Sequence, residues 1–596
     1  MARRANADTQ EAAPTGASAI APDTAGWNFY DADPSFQDLL RLYLEPDLMA
    51  HIEPHLRRLG EMAANELDRA GRMADSHPPT LHHRDRFGRD EQWIEYHPAY
   101  RELEAAAYGT FGIHAMSHRE GILGWPSTYP AAAKHAFTYL FNQAEFGLGC
   151  PINVTDSGSH AIRLYGSEEI KAKYLERMTT TDMEQLWQCG QYMTEKEGGS
   201  DVGSLTSVAK PEGDHWRITG EKWFCSNADA EVVLLLARPE GAGPGTRGLG
   251  LFLMPRHLDD GSLNRYRFVR LKDKLGSRSM ASAEVVMDGA LAYHLGELDR
   301  GFVQMAEVIN WSRLNNGIKS TALMRRASHD ALAVLKGRIV FGAPLIEKPL
   351  ARRQMLKILV PVEQALSMWC FTADALDRAE GMAGRAPSQE AAAVLRLATP
   401  LLKFRATRDG RQVTGDALDM RGGIGYIEEW VNPRLLRDAY LGSIWEGTSN
   451  IVALDALTRA VGRHRCHEAF GAELYAKLQD AEGVPAPFRE RVRGALEKAI
   501  AFAASVAANA QDEAAARQAA SALYHAATAA LMTWEGAATD ARRGDARRLL
   551  YARLVLDHRL TARDPFDAGD TGWEDEVSGL LLGDDPARMD RVAPLL

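Results

Sequence analysis

Glu446 stands in SIWEGTSN (443–450), beside Ile444 and Trp445 and just ahead of a new helical run. A carboxylate in apolar company has its charged form disfavoured, which raises its pKa and suits it to act as a base. An acid at a helix N-terminus also favours the helix dipole, so Glu446 alone reads equally as a structural residue. The stretch YMTEKEGGSDV (192–202) sets the hydroxyls of Thr194 and Ser200 around Gly198 and Gly199, which permit close backbone approach. Such a loop can bind the polar edge of a heterocycle or a phosphate, and it is also an ordinary turn. In GEKWFCSN (220–227), strand alternation sends Phe224 and Ser226 to one face. That face would wall a flat ring system; the alternative is an aromatic of a barrel core. Arg338 in GRIVFGAP (337–344) ends a helical run, where it pairs with a phosphate or is simply solvated. The glycines of MRGGIGY (420–426) cradle a pyrophosphate or end the helix before them. No strand precedes them, so they are not the dinucleotide fingerprint of a βαβ unit.

These candidates must be carried by a chain of 596 residues, room for roughly four domain-sized units. Hydrophobic residues make up 45% and charged residues 25%, which excludes a disordered chain, a collagen-like fibre and a disulfide scaffold. Acidic side chains outnumber basic ones 80 to 69, a formal charge of −11, so polyanion binding needs a local basic patch. Five cysteines in such a length fit a reducing cytoplasm with free thiols. No uncharged run approaches the ~18 apolar residues of a membrane span. The start, MARRANADTQEAAPTGASAIAPDTAG, lacks the apolar run of a secretory signal and reads as a disordered tail over 1–35.

From 36 to 190 an apolar stripe at three- and four-residue spacing predicts a helical domain. It is interrupted by a turn-rich surface loop, HPPTLHHRDRFGRDEQWIEYHPAY. Over 191–300 short β-rich runs such as EVVLLLARP and GLGLFLMP, separated by Gly, Pro and Asp turns, indicate an antiparallel barrel or sandwich. The helical period returns over 301–460, with Pro361 expected to bend one long helix. A last Ala-rich block, 461–596, is helical throughout.

Taken together and in this order, the singled-out residues resemble the acyl-CoA dehydrogenase flavoprotein family, from about Phe36 to Ala460. The resemblance implies a mostly α fold with a central antiparallel β-barrel domain, between an N-terminal helical domain and a C-terminal four-helix bundle. FAD is then held between them in a homotetramer built as a dimer of dimers. It implies that Met193 and Thr194 contact the flavin's polar edge, and that Ser200 binds the FAD pyrophosphate. Phe224 and Ser226 then lie beside the isoalloxazine. Arg338 and Phe341 reach the adenine half of the neighbouring subunit's FAD, Gly422 and Gly423 complete the cradle, and Thr448 and Asn450 add contacts. Glu446 matches the base that removes the α-proton of an acyl-CoA while the β-hydrogen leaves as hydride to flavin N5. Arg313, in NWSRLNNG, matches an arginine near the CoA end of the substrate channel. Electrons would pass to an electron-transfer flavoprotein or another acceptor.

Within the family, TEKEGGSDV, RLKDKLGSRSMASAEV, MRRA, GGIGYIEE and SIWEGTSN resemble the AidB-like branch, as does the extra helical block. That branch is associated with the response to DNA alkylation and with DNA binding, so a flavoprotein acting mainly by binding is the alternative function. The block at 461–596 carries 17 basic against 21 acidic side chains, with a local arginine stripe at ARRGDARRLLYAR (541–553). Strong DNA binding is therefore not expected of it, and Leu549, Leu550 and Leu554 should pack it on the core. Asp419 departs from the glutamine many dehydrogenases carry; a carboxylate near phosphate is unfavourable unless bonded to a donor. His464, Cys466 and His467 lack a second cluster at metal spacing and read as linker.

Overall fold

Asp33 starts the helical layer. Its side chain accepts from the Phe36 amide and Pro34 fills the first turn, giving α1 (Pro34–Tyr43). This is a computed structural model describing residues 22–596. Phe29 and Tyr30 are fully buried. The expected tail is therefore packed from these residues onward, because their rings find an apolar surface; the part at 1–21 lies outside the described residues. The helices α2 (Pro46–Ala64) and α3 (Glu66–Ser76) follow.

The loop expected after α3 is instead a two-stranded antiparallel hairpin, β1 (Thr80–Arg84) and β2 (Asp90–Glu95). Asp85 builds its turn, accepting from the amides of Phe87 and Arg89 at 2.8 and 2.9 Å. Ile94 on its inner face is buried and, with Leu81, joins the barrel core. Four more helices complete this part: α4 (Pro98–Glu104), α5 (Ala131–Ala144), α6 (Gly149–Tyr165) and α7 (Glu168–Met178).

The central sheet has seven strands: β3 (Cys189–Tyr192), β4 (Val208–Glu212), β5 (His215–Ser226), β6 (Val232–Pro239), β7 (Gly250–Pro255), β8 (Tyr266–Leu271) and β9 (Ser282–Leu295). Pairings of β3 with β6 and of β5 with β9 draw it into a barrel. The sheet is mixed, which corrects the antiparallel expectation, since β6 runs parallel to both β3 and β4. Apolar runs and turns mark where strands lie but not which distant strands they pair with. The continuous run VVLLLA of β6 has a two-sided explanation. Val233, Leu235 and Ala237 face the barrel core with Phe252 and Val285, while Val232, Leu234 and Leu236 pack outward with Ile162, Met305 and Val308.

The bundle consists of α8 (Gly301–Gly337), α9 (Pro349–Glu380), α10 (Gln389–Arg421) and α11 (Val431–Gly442). Between α8 and α9 lies a small hairpin, β10 (Ile339–Val340) and β11 (Ala343–Pro344). Pro361 lies inside α9, which continues as one helix on both sides of it. Beyond the short α12 (Ser449–Leu454), the last block supplies α13 (Cys466–Gln479), α14 (Ala486–Ala508), α15 (Ala516–Arg543), α16 (Arg547–Val555) and α17 (Thr571–Leu582). It docks on the bundle as expected, with Leu549, Leu550 and Leu554 fully buried. Its arginine stripe pairs with carboxylates, at the surface for Arg542 and Arg543 and in the interior for Arg548. Arg542 and Arg543 pair with Asp38 of α1, and Arg547 pairs with Asp545. Arg548 bridges Glu363 of α9 and Glu535 of α15, at 2.8 Å to each.

Candidate active site

Between α11 and α12 the chain turns through Glu446 and Gly447, with φ of +54° and +97°. A non-glycine residue in the left-handed region is strained by about 1 kcal/mol or more, so the surroundings must hold it there. Two buried cations do so from two bundle helices. Arg313 of α8 donates through Nε to the Glu446 carbonyl at 3.1 Å, and Lys403 of α10 donates to the Gly447 carbonyl. Gly447 has to be glycine: a Cβ there would stand 3.3 and 3.4 Å from Val452 and Arg313 in an already strained conformation. Arg313 is balanced by Asp455 at 2.9 Å, which Arg396 also binds at 2.6 Å. Among the described residues Lys403 has no such partner.

The clamp grips main chain and leaves the side chain of Glu446 free: among the described residues none donates to its carboxylate. Burial pushes the Glu446 carboxyl above its ordinary range, against the pull of Arg313, Lys403 and Lys319. Burial, with Arg313 nearby, lowers the Lys403 ammonium to about 7. Trp445 stacks on Phe146 with ring centres 5.6 Å apart. The Lys319 ammonium lies 4.4 Å from the Trp445 ring centre.

The loop at 192–202 is built on a pair that spacing alone did not single out. Glu195 is buried and accepts from Thr206 and from Lys222 Nζ, both at 2.6 Å; Lys222, equally buried, also donates to the Leu236 carbonyl. A bulge in β5 between Lys222 and Cys225 turns both inward and leaves Trp223 and Phe224 facing out. The Thr194 carbonyl accepts from the Trp223 amide at 2.8 Å, and Gln191 pairs with Ser226. Met193, Thr194, Phe224 and Ser226 therefore meet on one barrel rim. Phe224 is 56% exposed there and Ser226 is half-buried. Met193 and Trp445 pack against the same apolar cluster, which joins this rim to the turn of Glu446. Gly198 admits no side chain, since a Cβ would come within 2.1 Å of Ser204 Oγ; Ser200, two residues on, is exposed.

A third group lies elsewhere. Arg338 caps the far end of α8, so at 1.5 Å per residue it stands about 37 Å from Arg313. Its guanidinium is 3.6 Å from where a Cβ on Gly422 would be, and Gly423 is open to its surroundings. Phe341 is fully exposed at the tip of the β10–β11 hairpin. Asp419 is satisfied by Gln354, which donates to it at 3.1 Å. Thr448 and Asn450 are exposed at the start of α12, two and four residues past Glu446. Among the described residues no His, Cys, Asp or Glu cluster could hold a metal ion.

Lys403 and Lys319 were missed from sequence as partners of Glu446. The available signal for Lys403 was a lysine inside the apolar run ATPLLKF (398–404).

Three family models match the chain in order. They are the Adaptive response protein AidB N-terminal domain over 20–185, the acyl-CoA dehydrogenase middle domain over 190–290, and the acyl-CoA dehydrogenase C-terminal domain over 299–462. Acyl-CoA dehydrogenase family member 11 of Caenorhabditis elegans is 31% identical over 456 residues, 75% of this chain and 73% of that protein. AidB of Escherichia coli (strain K12) is 34% identical over 410 residues, 67% and 72% of the two chains. The crystal structure of Caenorhabditis elegans ACDH-11 in complex with C11-CoA superposes with a TM-score of 0.83 at 27% identity, covering 94% of this chain and 95% of that one. The chain belongs to the acyl-CoA dehydrogenase family, in its AidB-like branch, and is an oxidoreductase of that family.

Proposed function

We propose that the protein dehydrogenates an acyl-CoA thioester between its α and β carbons, with Glu446 as the base and FAD as cofactor. One observation carries this reading: the Glu446 main chain is clamped from two helices while its carboxylate is left without a donor. Its raised pKa suits proton abstraction, and the three nearby cations favour the ionised form that must accept the proton. The Glu446 amide donates to no described residue. It is free to stabilise a thioester oxygen as enolate character develops.

The residues present fit FAD. Phe224 offers an outward aromatic face beside Ser226 and Thr194 for the ring system, and the open backbone at Gly199, Gly422 and Gly423 admits phosphates. When bound, FAD supplies the two-electron acceptor for the substrate's β-hydrogen. Arg338, Phe341, Gly422 and Gly423 are too far along α8 to serve the same cofactor as Glu446 within one protomer. They are read as serving a neighbour's FAD in a homotetramer, and the full exposure of Phe341 supports a covering copy. The functional units are then 36–190, 191–300, 301–460 and 461–596. An electron-transfer flavoprotein or another acceptor takes the electrons. The five cysteines are free and buried, as in a reducing cytoplasm. No helix among the described residues is long and apolar enough to cross a membrane.

Pairing of all four arginines of 542–548 with carboxylates weighs against the DNA-binding alternative. Anaerobic titration of the FAD-loaded protein with acyl-CoAs tests the proposal. Bleaching of the flavin absorbance is expected, and no bleaching with any acyl-CoA would refute it.

A further inference from the structure

Lys319 is an unexplained charge beside the base. It lies on α8 and is 2% exposed, yet no described acceptor takes a hydrogen bond from it and no carboxylate lies within ion-pair distance. Its ammonium is capped by the rings of Trp445 and Phe146, at 4.4 and 5.2 Å from their centres. The charged or titratable groups around it are Cys150, Glu446 and Glu145. Glu145 is already used, accepting from the Gly147 and Leu148 amides and from Ser279. The Cys150 thiol is pushed up to about 11 by burial and stays neutral. Glu446 has to remain free for the α-proton.

The surroundings hold further unpaired polar atoms. Trp445 Nε1 is buried without a partner, and so is Asn142 Oδ1. Asn142 and Lys319 meet across Gly149: a Cβ on that glycine would stand 2.2 Å from Asn142 Oδ1 and 2.9 Å from Lys319 Cδ. A buried ammonium without a counter-charge is unfavourable, and an alkyl chain laid against it would leave it so. A carboxylate would relieve it through a charge-assisted hydrogen bond.

We propose that Lys319 is a specificity-determining residue that binds a carboxylate on the acyl chain. The preferred substrates are then CoA monothioesters of dicarboxylic acids rather than alkyl acyl-CoAs. This rests on the acyl-CoA dehydrogenase reading above, and adds the acyl class to it.

The test is anaerobic flavin reduction by the FAD-loaded protein with length-matched pairs: glutaryl-CoA against valeryl-CoA, and adipoyl-CoA against hexanoyl-CoA. Equilibrium binding of each is measured alongside. At least one carboxylated member should be favoured tenfold or more in kcat/KM. Lys319→Met should abolish the ratio within each pair, whatever its effect on the rate common to both members, and Lys319→Arg should keep the ratio. Equal kcat/KM within both pairs in the unaltered protein overturns the assignment and leaves the dehydrogenase reading standing, whether or not Lys319→Met folds. An unchanged preference in Lys319→Met overturns it as well. If neither series binds or reduces the flavin, the dehydrogenase reading has failed and takes this inference with it.

Discussion

Arg313 Nε stands 3.1 Å from the carbonyl oxygen of Glu446, so the first bundle helix holds the main chain of the base and leaves its carboxylate alone. Lys403 repeats the arrangement one residue later, on the carbonyl of Gly447. Two successive carbonyls of a left-handed turn are thus tied to two helices that come together only in the folded bundle. The strain of the turn is held by its surroundings, as expected where geometry serves a site.

Glu446→Gln keeps the shape and removes the base. FAD content should be unchanged, while the rate of flavin reduction by acyl-CoA falls by about 10²–10⁴-fold in anaerobic stopped flow. A parental rate in the variant would make Glu446 a structural residue.

Lys403→Met tests the clamp through pH. The charged ammonium favours the ionised carboxyl of Glu446, so its removal should raise the pKa of the base. The acid limb of the kcat/KM profile should therefore move to higher pH, with FAD still bound. Lys403→Arg should restore the limb. In the unaltered protein this support is present below about pH 7 and fades above it, because Lys403 itself titrates there.

Arg548→Ala leaves the buried Glu535 without a cation and Glu363 with Arg325 alone. Breaking such a network by removing one partner typically costs about 3–5 kcal/mol. The midpoint of denaturant unfolding should drop accordingly, and a midpoint within error of the parent would show the bridge to be dispensable.

Arg542→Ala with Arg543→Ala unties α15 from Asp38 of α1. Stability should decrease slightly, and duplex DNA affinity should not change, since both side chains, though at the surface, are paired with Asp38. Salt-dependent binding with a slope near −0.9 per phosphate, lost in this double variant, would instead establish them as DNA contacts.

Arg338→Ala should weaken FAD retention and assembly together, read as flavin loss on gel filtration with a shift to smaller species. An FAD-loaded tetramer indistinguishable from the parent would rule out the cross-subunit role.

Residue order was enough to locate the helical regions and the β-rich middle, and to single out as candidates the stretches around Glu446, Thr194, Phe224, Arg338 and Gly422. Each of these depends on neighbours within a few positions: apolar spacing, a glycine beside a hydroxyl, an aromatic two residues from a serine. The hairpin at 80–95 has the pattern of a loop in sequence because its strands are polar outward, and it becomes legible only when Ile94 meets the barrel. The direction of β6 relative to β3 and β4 depends on which strands arrive beside it. Arg313 lies 133 residues from Glu446 and Lys403 lies 44 residues from Gly447, and no local pattern encodes such a meeting. The arginines of 542–548 carry the same lesson, since a basic stripe is free or paired according to whether Asp38, Glu363 and Glu535 arrive beside it. Packing brings these charges together, and burial then makes their pairing, or in Lys319 its absence, chemically decisive.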